Sequence, residues 1–195
     1  MASNDRTQFI TIGARNQAIT DREEHDFYAT DPEVLEKIYP QLNLSHNVWE
    51  PACGQGHLSE VLVAHGHNVR STDLIDRGYG QGGIDFFETN EQYDGDILTN
   101  PPYGRLALPF VKHALETITD GHKVVCLLKL TFLEGIERGD FYKDFPPRYV
   151  YVSRSRVSCP LNADFATYRG RTAISYAWYV WEKGYKGETT LRWFN

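Results

Sequence analysis

The chain has 195 residues and a formal net charge of −6, and this length fits a single domain. It is 41% hydrophobic and 13% aromatic, which is enough to fill a core and argues against wholesale disorder. No apolar run approaches the roughly 20 residues of a membrane helix, and the N-terminus lacks the apolar core of a signal peptide. We therefore expect a cytoplasmic protein without a membrane partner.

The three cysteines, Cys53, Cys126 and Cys159, lie far apart in the sequence, which argues against a disulfide scaffold. No C-x-x-C or H-E-x-x-H spacing occurs, so the sequence does not indicate a bound metal. Cys126 stands in a strongly apolar segment, and we expect it in the core.

The first 26 residues are polar and without clear periodicity, as loose chain ends often are. They precede a single predicted domain that spans residues 27–195. Asp31 followed by Pro32 predicts a helix start, because Asp caps a helix and Pro fits its first turn. Apolar residues at helical spacing follow over residues 34–39.

Short apolar segments then alternate with further helical patterns. Helical spacing recurs at residues 58–62 and 108–118, whereas the glycine-rich stretch 78–83 predicts a loop. This alternation predicts an α/β sandwich with a mainly parallel sheet. The predicted strands are residues 47–50, 68–72, 84–87, 93–98, 124–130, 149–152 and 174–181.

Polar side chains stand at the ends of four predicted strands, namely Glu50, Asp73, Asp85 and Asn100. In open α/β sheets, ligands bind beyond the carboxyl ends of the strands. We therefore expect one crevice to gather these four side chains.

Residues 50–56, Glu-Pro-Ala-Cys-Gly-Gln-Gly, form a glycine turn after the first strand. Gly54 and Gly56 permit a sharp turn and the close approach of a ligand, while Ser59 stands where dinucleotide-binding turns have a third glycine. A carboxylate at Glu50 is unfavourable beside a phosphate. S-adenosylmethionine has a cationic amino group and sulfonium, so this turn suits that cofactor, and an ordinary strand-to-helix turn is the alternative.

Two further acidic residues have a functional and a structural interpretation. Asp73 can accept hydrogen bonds from both ribose hydroxyls, or it can cap the turn that begins at Leu74. Asp85 offers an acceptor for an adenine amine, and Phe86 offers a ring for the adenine face. The alternative for this pair is a core phenylalanine beside a solvated aspartate.

Asn100-Pro101-Pro102-Tyr103 is the most specific motif. Two consecutive prolines fix an extended backbone, so the Asn100 side chain and the Pro101 carbonyl are held in a set geometry. An amine on a purine is a poor nucleophile because its lone pair is delocalised into the ring. Two acceptors for its N–H bonds stabilise the charge that develops during attack, and Tyr103 can stack on the ring. The structural alternative is a proline-rich loop with a surface tyrosine.

The pattern over residues 27–130 resembles class I methyltransferases, most closely the amino-DNA methyltransferases of the gamma motif order and their small phage-encoded adenine-methylating members. The resemblance implies a Rossmann-like sandwich with a mainly parallel seven-stranded sheet and an antiparallel closing strand. It also implies S-adenosylmethionine as cofactor and methylation of adenine N6 in DNA, in a bacterial or phage-infected cell. The implied catalytic residues are Asn100, Pro101, Pro102 and Tyr103, and the implied cofactor-binding residues are Tyr28, Thr30, Glu50, Pro51, Ala52, Gly54, Gly56, Asp73, Leu74, Asp85, Phe86 and Asn100.

The chain departs from that family because it has no long target-recognition domain after Tyr103, which predicts a relaxed or very short target sequence. Adenine N6 is hidden inside a duplex, so such an enzyme flips the base or acts on single strands. A basic and aromatic insertion at residues 148–171 suits phosphate and stacking contacts, and a solvated hairpin is the alternative. The predicted nucleic-acid contacts are Arg154, Arg156, Arg169 and Arg171.

Two other functions share parts of this pattern. The same tetrapeptide occurs in methyltransferases that act on ribosomal RNA or on a protein glutamine, because planar amides and guanine N2 have a similarly delocalised lone pair. The glutamine enzymes usually have a sizeable helical domain before the glycine turn, and only 49 residues precede Glu50 here. A catalytically silent nucleic-acid-binding subunit is the non-enzymatic alternative, although such relatives tend to lose the motifs that are intact here.

Overall fold

The computed structural model describes residues 29–155, 157 and 174–195, which form one seven-stranded sheet with helices packed around it. The predicted N-terminal segment 1–26 and most of the insertion 148–171 lie outside the described residues. No helix of the described ranges is long and apolar enough to cross a membrane. The strands are β1 (Asn47–Glu50), β2 (Asn68–Ser71), β3 (Asp96–Thr99), β4 (Lys123–Lys129), β5 (Tyr149–Ser153), β6 (Tyr176–Glu182) and β7 (Thr190–Phe194), and the α-helices are α1 (Pro32–Leu42), α2 (His57–Ala64), α3 (Ala107–Thr117) and α4 (Ile136–Asp144).

The strands lie in the order β2-β1-β3-β4-β6-β5-β7. β2, β1, β3 and β4 are mutually parallel, and β5 pairs in parallel with β7. β6 runs antiparallel to both of its neighbours, β4 and β5. The predicted fold class is therefore confirmed, with seven strands and one antiparallel strand that closes the parallel half.

One predicted strand is wrong and another strand was not predicted. Residues 84–87 do not form a strand, because the Asp85 side chain accepts a hydrogen bond from the Phe87 backbone N–H at 2.9 Å and turns the chain into a 3₁₀ helix, Phe86–Glu88. The seventh strand is instead β7, which forms the edge of the sheet opposite to β2. Four of its five residues are exposed, so no alternating pattern of buried residues marks it in the sequence.

Helix α1 begins as predicted. The Asp31 carboxylate accepts a hydrogen bond from the Glu33 backbone N–H at 3.0 Å, and Pro32 occupies the first turn. The apolar face of this helix packs on the sheet through Leu35 and Ile38, both completely buried. Burying a side chain of this size contributes about 1.5–3 kcal/mol, so packing rather than propensity holds the helix in place.

Successive residues of the central strands face opposite sides of the sheet. Val48 and Leu98 pack against α1 and α2 on one side, whereas Trp49 and Ile97 pack against α3 on the other. All four are completely buried. Helices on both faces explain why these strands lack polar alternation, because both sides of a parallel sheet are covered.

Asp96, at the start of β3, is a buried polar hub at the edge of the sheet where the parallel strands begin. Its carboxylate accepts hydrogen bonds from the backbone N–H groups of Ser45 and Lys123, both at 2.7 Å, and lies 3.3 Å from His122 Nδ1. Only 1% of the residue is exposed. This one side chain therefore joins three segments that are distant in the sequence.

Asp96→Ala should lower the free energy of unfolding by about 3 kcal/mol, because two half-buried N–H groups would lose their acceptor and each buried unsatisfied group costs about 1–3 kcal/mol. Denaturation by urea measures this loss. Asp94→Ala is the matched control, because Asp94 also bonds His122 but its side chain is 89% exposed. Equal stability of the two variants would contradict the role of Asp96.

Candidate active site

A cleft of about 790 Å³ opens at the edge of the sheet where the parallel strands end. It lies at the point where the strand order reverses, between β1 and β3, which is where open α/β sheets bind ligands. The cleft gathers most of the predicted site residues, and Gly54 and Gly56 are not among its lining residues. The predicted residues that line it are Thr30, Glu50, Pro51, Ala52, Asp73, Leu74, Asp85, Phe86, Asn100, Pro101, Pro102 and Tyr103.

The strand order determines the order of four polar side chains along the floor of this cleft. Asp73 follows β2, Glu50 ends β1, Asn100 follows β3 and Lys129 ends β4. Adjacent strands are about 4.8 Å apart, so the floor changes from two acids through an amide to an amine. One end therefore suits a cation and the other end suits an anion.

The glycine turn adopts left-handed backbone conformations, with φ of 55° at Gly54 and 86° at Gly56. The Gly54 N–H donates to the Asp73 carboxylate at 2.8 Å, which fixes the turn against the segment after β2. At Gly56 a β-carbon would lie 2.4 Å from the Tyr79 ring. The close approach that requires glycine here is thus made by Tyr79, a residue that the sequence pattern did not single out.

Glu50 is 2% exposed although it carries a carboxyl group. The Ser59 hydroxyl donates to it, and the Ser59 and Ser71 hydroxyl oxygens are 2.6 Å apart. Burial raises the pKa of Glu50 to about 8, and the nearby charge of Asp73 adds to the rise. Glu50 is therefore mainly protonated at neutral pH. Ser59, the residue at the place of a third glycine, is a positioning group that sequence analysis missed.

The other two acids of the cleft both hold loop backbones. The Asp73 carboxylate accepts a second hydrogen bond, from the Ile75 backbone N–H, at 2.9 Å. The Asp85 carboxylate accepts a hydrogen bond from the Phe87 backbone N–H. The bond of Asp73 is the turn cap that was its structural alternative, whereas the capping bond of Asp85 was not expected. Both residues line the cleft. Phe86 is only 3% exposed and packs on Trp49, whereas the neighbouring Phe87 is 38% exposed and also lines the cleft.

Thr30 supplies a buried hydroxyl that has no hydrogen-bond partner among the described residues. The residue is 3% exposed and lines the cleft. A buried polar group without a partner costs about 1–3 kcal/mol, so such a group at a cleft wall points to a ligand that completes its bonding. Tyr28, predicted to act beside it, lies outside the described residues.

The tetrapeptide at residues 100–103 forms the wall of the cleft between β3 and α3. The Tyr103 hydroxyl donates to the Asn100 side-chain oxygen at 2.5 Å. The Tyr103 ring lies beside Tyr176, with 5.7 Å between ring centroids, and 5.4 Å from Lys129 Nζ. The acceptor expected to bind a substrate amine is therefore bonded to the tyrosine of its own motif.

The predicted nucleic-acid contacts are placed only in part. Arg154 is exposed, and its backbone N–H bonds the Asn195 side chain at 2.9 Å. It does not line the cleft. Arg156, Arg169 and Arg171 lie outside the described residues.

Within the described ranges, no group of His, Cys, Asp or Glu side chains is arranged to hold a metal ion. Cys53 lines the cleft but is 4% exposed, and burial raises its pKa to about 12. Its thiol is therefore protonated and a poor nucleophile. The polar side chains that line this cleft carry carboxyl, hydroxyl, amide and amine groups, together with the imidazole of His57 and the guanidinium of Arg77.

No protein-family model and no curated protein matches this chain, whereas solved structures do. A protein from Pyrococcus horikoshii described as an RNA methyltransferase has a TM-score of 0.59 at 17% identity, over 92% of this chain and 99% of that chain. The type IIG restriction endonuclease BpuSI has a TM-score of 0.60 at 14% identity, over 85% of this chain. The chain has the class I methyltransferase fold.

A class I S-adenosylmethionine-dependent methyltransferase from Listeria monocytogenes shares this fold, with a TM-score of 0.51 at 11% identity, over 82% of this chain and 60% of that chain. This chain spans about a quarter of the restriction endonuclease, 26% of its length. At such identities the similarity concerns the methyltransferase fold alone.

The buried carboxyl group predicts a pH dependence of stability. An acid with a raised folded-state pKa contributes stability that is complete below its unfolded pKa and is lost as the pH rises through the folded pKa. For Glu50 the pH interval between these two pKa values runs from 4.5 to about 8. The free energy of unfolding of the wild type should fall across it, whereas Glu50→Gln, which does not titrate, should give a flatter profile.

Urea unfolding at several pH values measures both profiles. Glu88→Gln is the control, because Glu88 is exposed and outside the cleft. Parallel wild-type and Glu50→Gln profiles would show that Glu50 does not titrate in this interval.

Proposed function

We propose that this protein transfers a methyl group from S-adenosylmethionine to N6 of adenine in DNA, with base flipping and little sequence selectivity. The observation that carries the proposal is that Asn100 and Tyr103 line the same cleft as Glu50 and Asp73, at the reversal of the strand order. A motif suited to a planar amine therefore adjoins an acidic wall suited to a cationic cofactor.

The residues of the acidic wall fit S-adenosylmethionine, which supplies a methyl group on a positively charged sulfur. The Thr30 hydroxyl, buried and without a partner among the described residues, can bond a polar group of the cofactor. Asp73 accepts one backbone bond at each carboxylate oxygen, and each oxygen has a further lone pair for a ribose hydroxyl. Glu50 can ionise when a cation is nearby, because opposite charge favours its carboxylate form.

The chain's own residues activate the substrate amine. Asn100 Oδ1 and the Pro101 carbonyl accept hydrogen bonds from the two N–H groups of the amine. These bonds favour a pyramidal nitrogen and stabilise the positive charge that develops on it. Tyr103 stacks on the base and keeps the amine in line for attack. A strong general base is not required, since the proton can leave after the methyl group is transferred.

DNA is favoured as the substrate by the tetrapeptide and by Tyr28 and Thr30 ahead of the glycine turn, because these residues match the pattern of the amino-DNA methyltransferases. We propose that Arg154, Arg156, Arg169 and Arg171 contact the phosphate backbone. RNA is the second candidate, because a neighbour matched over 99% of its length is described as an RNA methyltransferase. In both cases the reacting group is an exocyclic amine.

Methyl transfer tests the proposal directly. Labelled S-adenosylmethionine is incubated with DNA, RNA and protein, and the modified positions are mapped. We expect N6-methyladenine in DNA. The rate of methyl transfer should fall about 100- to 1,000-fold in Asn100→Ala, because one oriented acceptor is removed. Asn90→Ala, an exposed asparagine outside the cleft, is the control. Label in RNA or protein alone, or full activity of Asn100→Ala, would overturn the proposal.

The bond from Tyr103 to Asn100 gives a second prediction. Tyr103→Phe keeps the stacking ring and removes the hydroxyl that competes for the Asn100 oxygen, so its activity should equal or exceed that of the wild type. Tyr103→Ala should lose roughly tenfold or more, since base–aromatic stacking contributes about 1–3 kcal/mol. Steady-state kinetics with one DNA substrate compares the three proteins. Equal losses in both variants would mean that the hydroxyl rather than the ring is needed.

A further inference from the structure

Lys129 differs from every other lysine of the chain in its surroundings. All seven lysines lie in the described residues. Six of them have an oxygen partner for the amino group, either a carboxylate or a backbone carbonyl. These are Lys37, Lys112, Lys123, Lys143, Lys183 and Lys186. Lys129 has none among the described residues, and its amino group faces the Tyr103 ring.

The position of Lys129 is fixed by the sheet. It ends β4 opposite Tyr176 of β6, and its backbone carbonyl accepts a hydrogen bond from the Tyr179 hydroxyl at 3.2 Å. Its side chain lines the cleft. The amino group is 5.4 Å from the centroid of the ring on which the substrate base would stack. A cation is thus held beside the expected base position and away from the acidic wall.

We infer that Lys129 binds the phosphate of the nucleotide whose base enters the cleft, so that the cleft selects nucleotides over nucleosides and over protein amides. The inference rests on the proposed function, because it takes Tyr103 as the stacking platform. A phosphate lies one sugar away from its base, within reach of a lysine that borders that platform. Lysine binds phosphate as a compact point charge, and a half-buried cation with no anion partner gains more from one than a solvated lysine does.

Binding of mononucleotides tests this without knowledge of the target sequence. Calorimetry with S-adenosylhomocysteine present compares deoxyadenosine with its 5′- and 3′-monophosphates. We expect wild-type protein to bind one monophosphate about tenfold more tightly than the nucleoside, since hydrogen bonds to charged groups are the stronger class. Lys129→Met should bring the ratio of the monophosphate affinity to the nucleoside affinity close to one, without changing the affinity for deoxyadenosine. Lys129→Arg should retain the preference for the monophosphate.

Lys186→Met is the matched control, because Lys186 also faces an aromatic ring, that of Phe145 at 5.1 Å, but does not line the cleft. It should keep the wild-type ratio. A ratio near one in the wild type, or a ratio unchanged in Lys129→Met, would overturn the inference.

Methyl transfer to DNA by the same proteins separates this inference from the proposed function. If the wild type methylates DNA but has no preference for a phosphate, only the role of Lys129 is wrong. If a Lys129-dependent preference exists without methyl transfer to any substrate, the proposed activity is wrong and nucleotide binding stands. Failure to bind deoxyadenosine and its monophosphates, together with the absence of methyl transfer to DNA while cofactor binding is intact, would overturn both.

Discussion

The cleft depends on one geometric constraint, which is that parallel strands end at the same edge of a sheet. Because β2, β1, β3 and β4 are parallel and adjacent, the residues at their carboxyl ends are neighbours although they span more than fifty positions of the sequence. Chain connections leave that edge in opposite directions on either side of the boundary between β1 and β3, and this opens the crevice. The acids, the amide and the amine of the site occupy their places for this reason.

Two of the polar groups that line the cleft are bonded within the protein. Glu50 is held neutral and bonded to Ser59, and the Asn100 oxygen is bonded to Tyr103. Burial of an unpaired polar or charged group would be unfavourable, so such internal bonds stabilise the protein when no ligand is bound. A ligand that bonds to the same atoms has to replace these internal bonds with its own.

Side chains of opposite charge type lie at opposite sides of the cleft. Acidic groups cluster on the side of β1 and β2, and Lys129 stands on the side of β4, with Asn100 between them. The net charge of −6 therefore does not describe what the site can bind, because the sign changes within one crevice. The structural neighbours include a protein described as an RNA methyltransferase and a restriction endonuclease, so the fold by itself does not define a substrate.

The sequence by itself determined the features that follow from local rules. The α/β class follows from alternating periodicities, the start of α1 from the capping pair at Asp31 and Pro32, and the position of the tetrapeptide from the strand before it. Glu50, Asp73 and Asn100 of the cleft could be predicted in this way, because each stands at or just after the end of a strand and parallel strands share an edge. These features depend on contacts within a few residues, which the sequence displays directly.

Only the tertiary structure decided the features that depend on distant partners. The capping bond of Asp85 turns residues 84–87 away from a strand, and β7 pairs with β5 at the edge of the sheet. The ring of Tyr79 covers Gly56, the Ser59 hydroxyl bonds Glu50, and Lys129 faces Tyr103. Each of these contacts joins residues whose proximity is set by the packing of the whole sheet, and no local pattern in the sequence encodes that proximity.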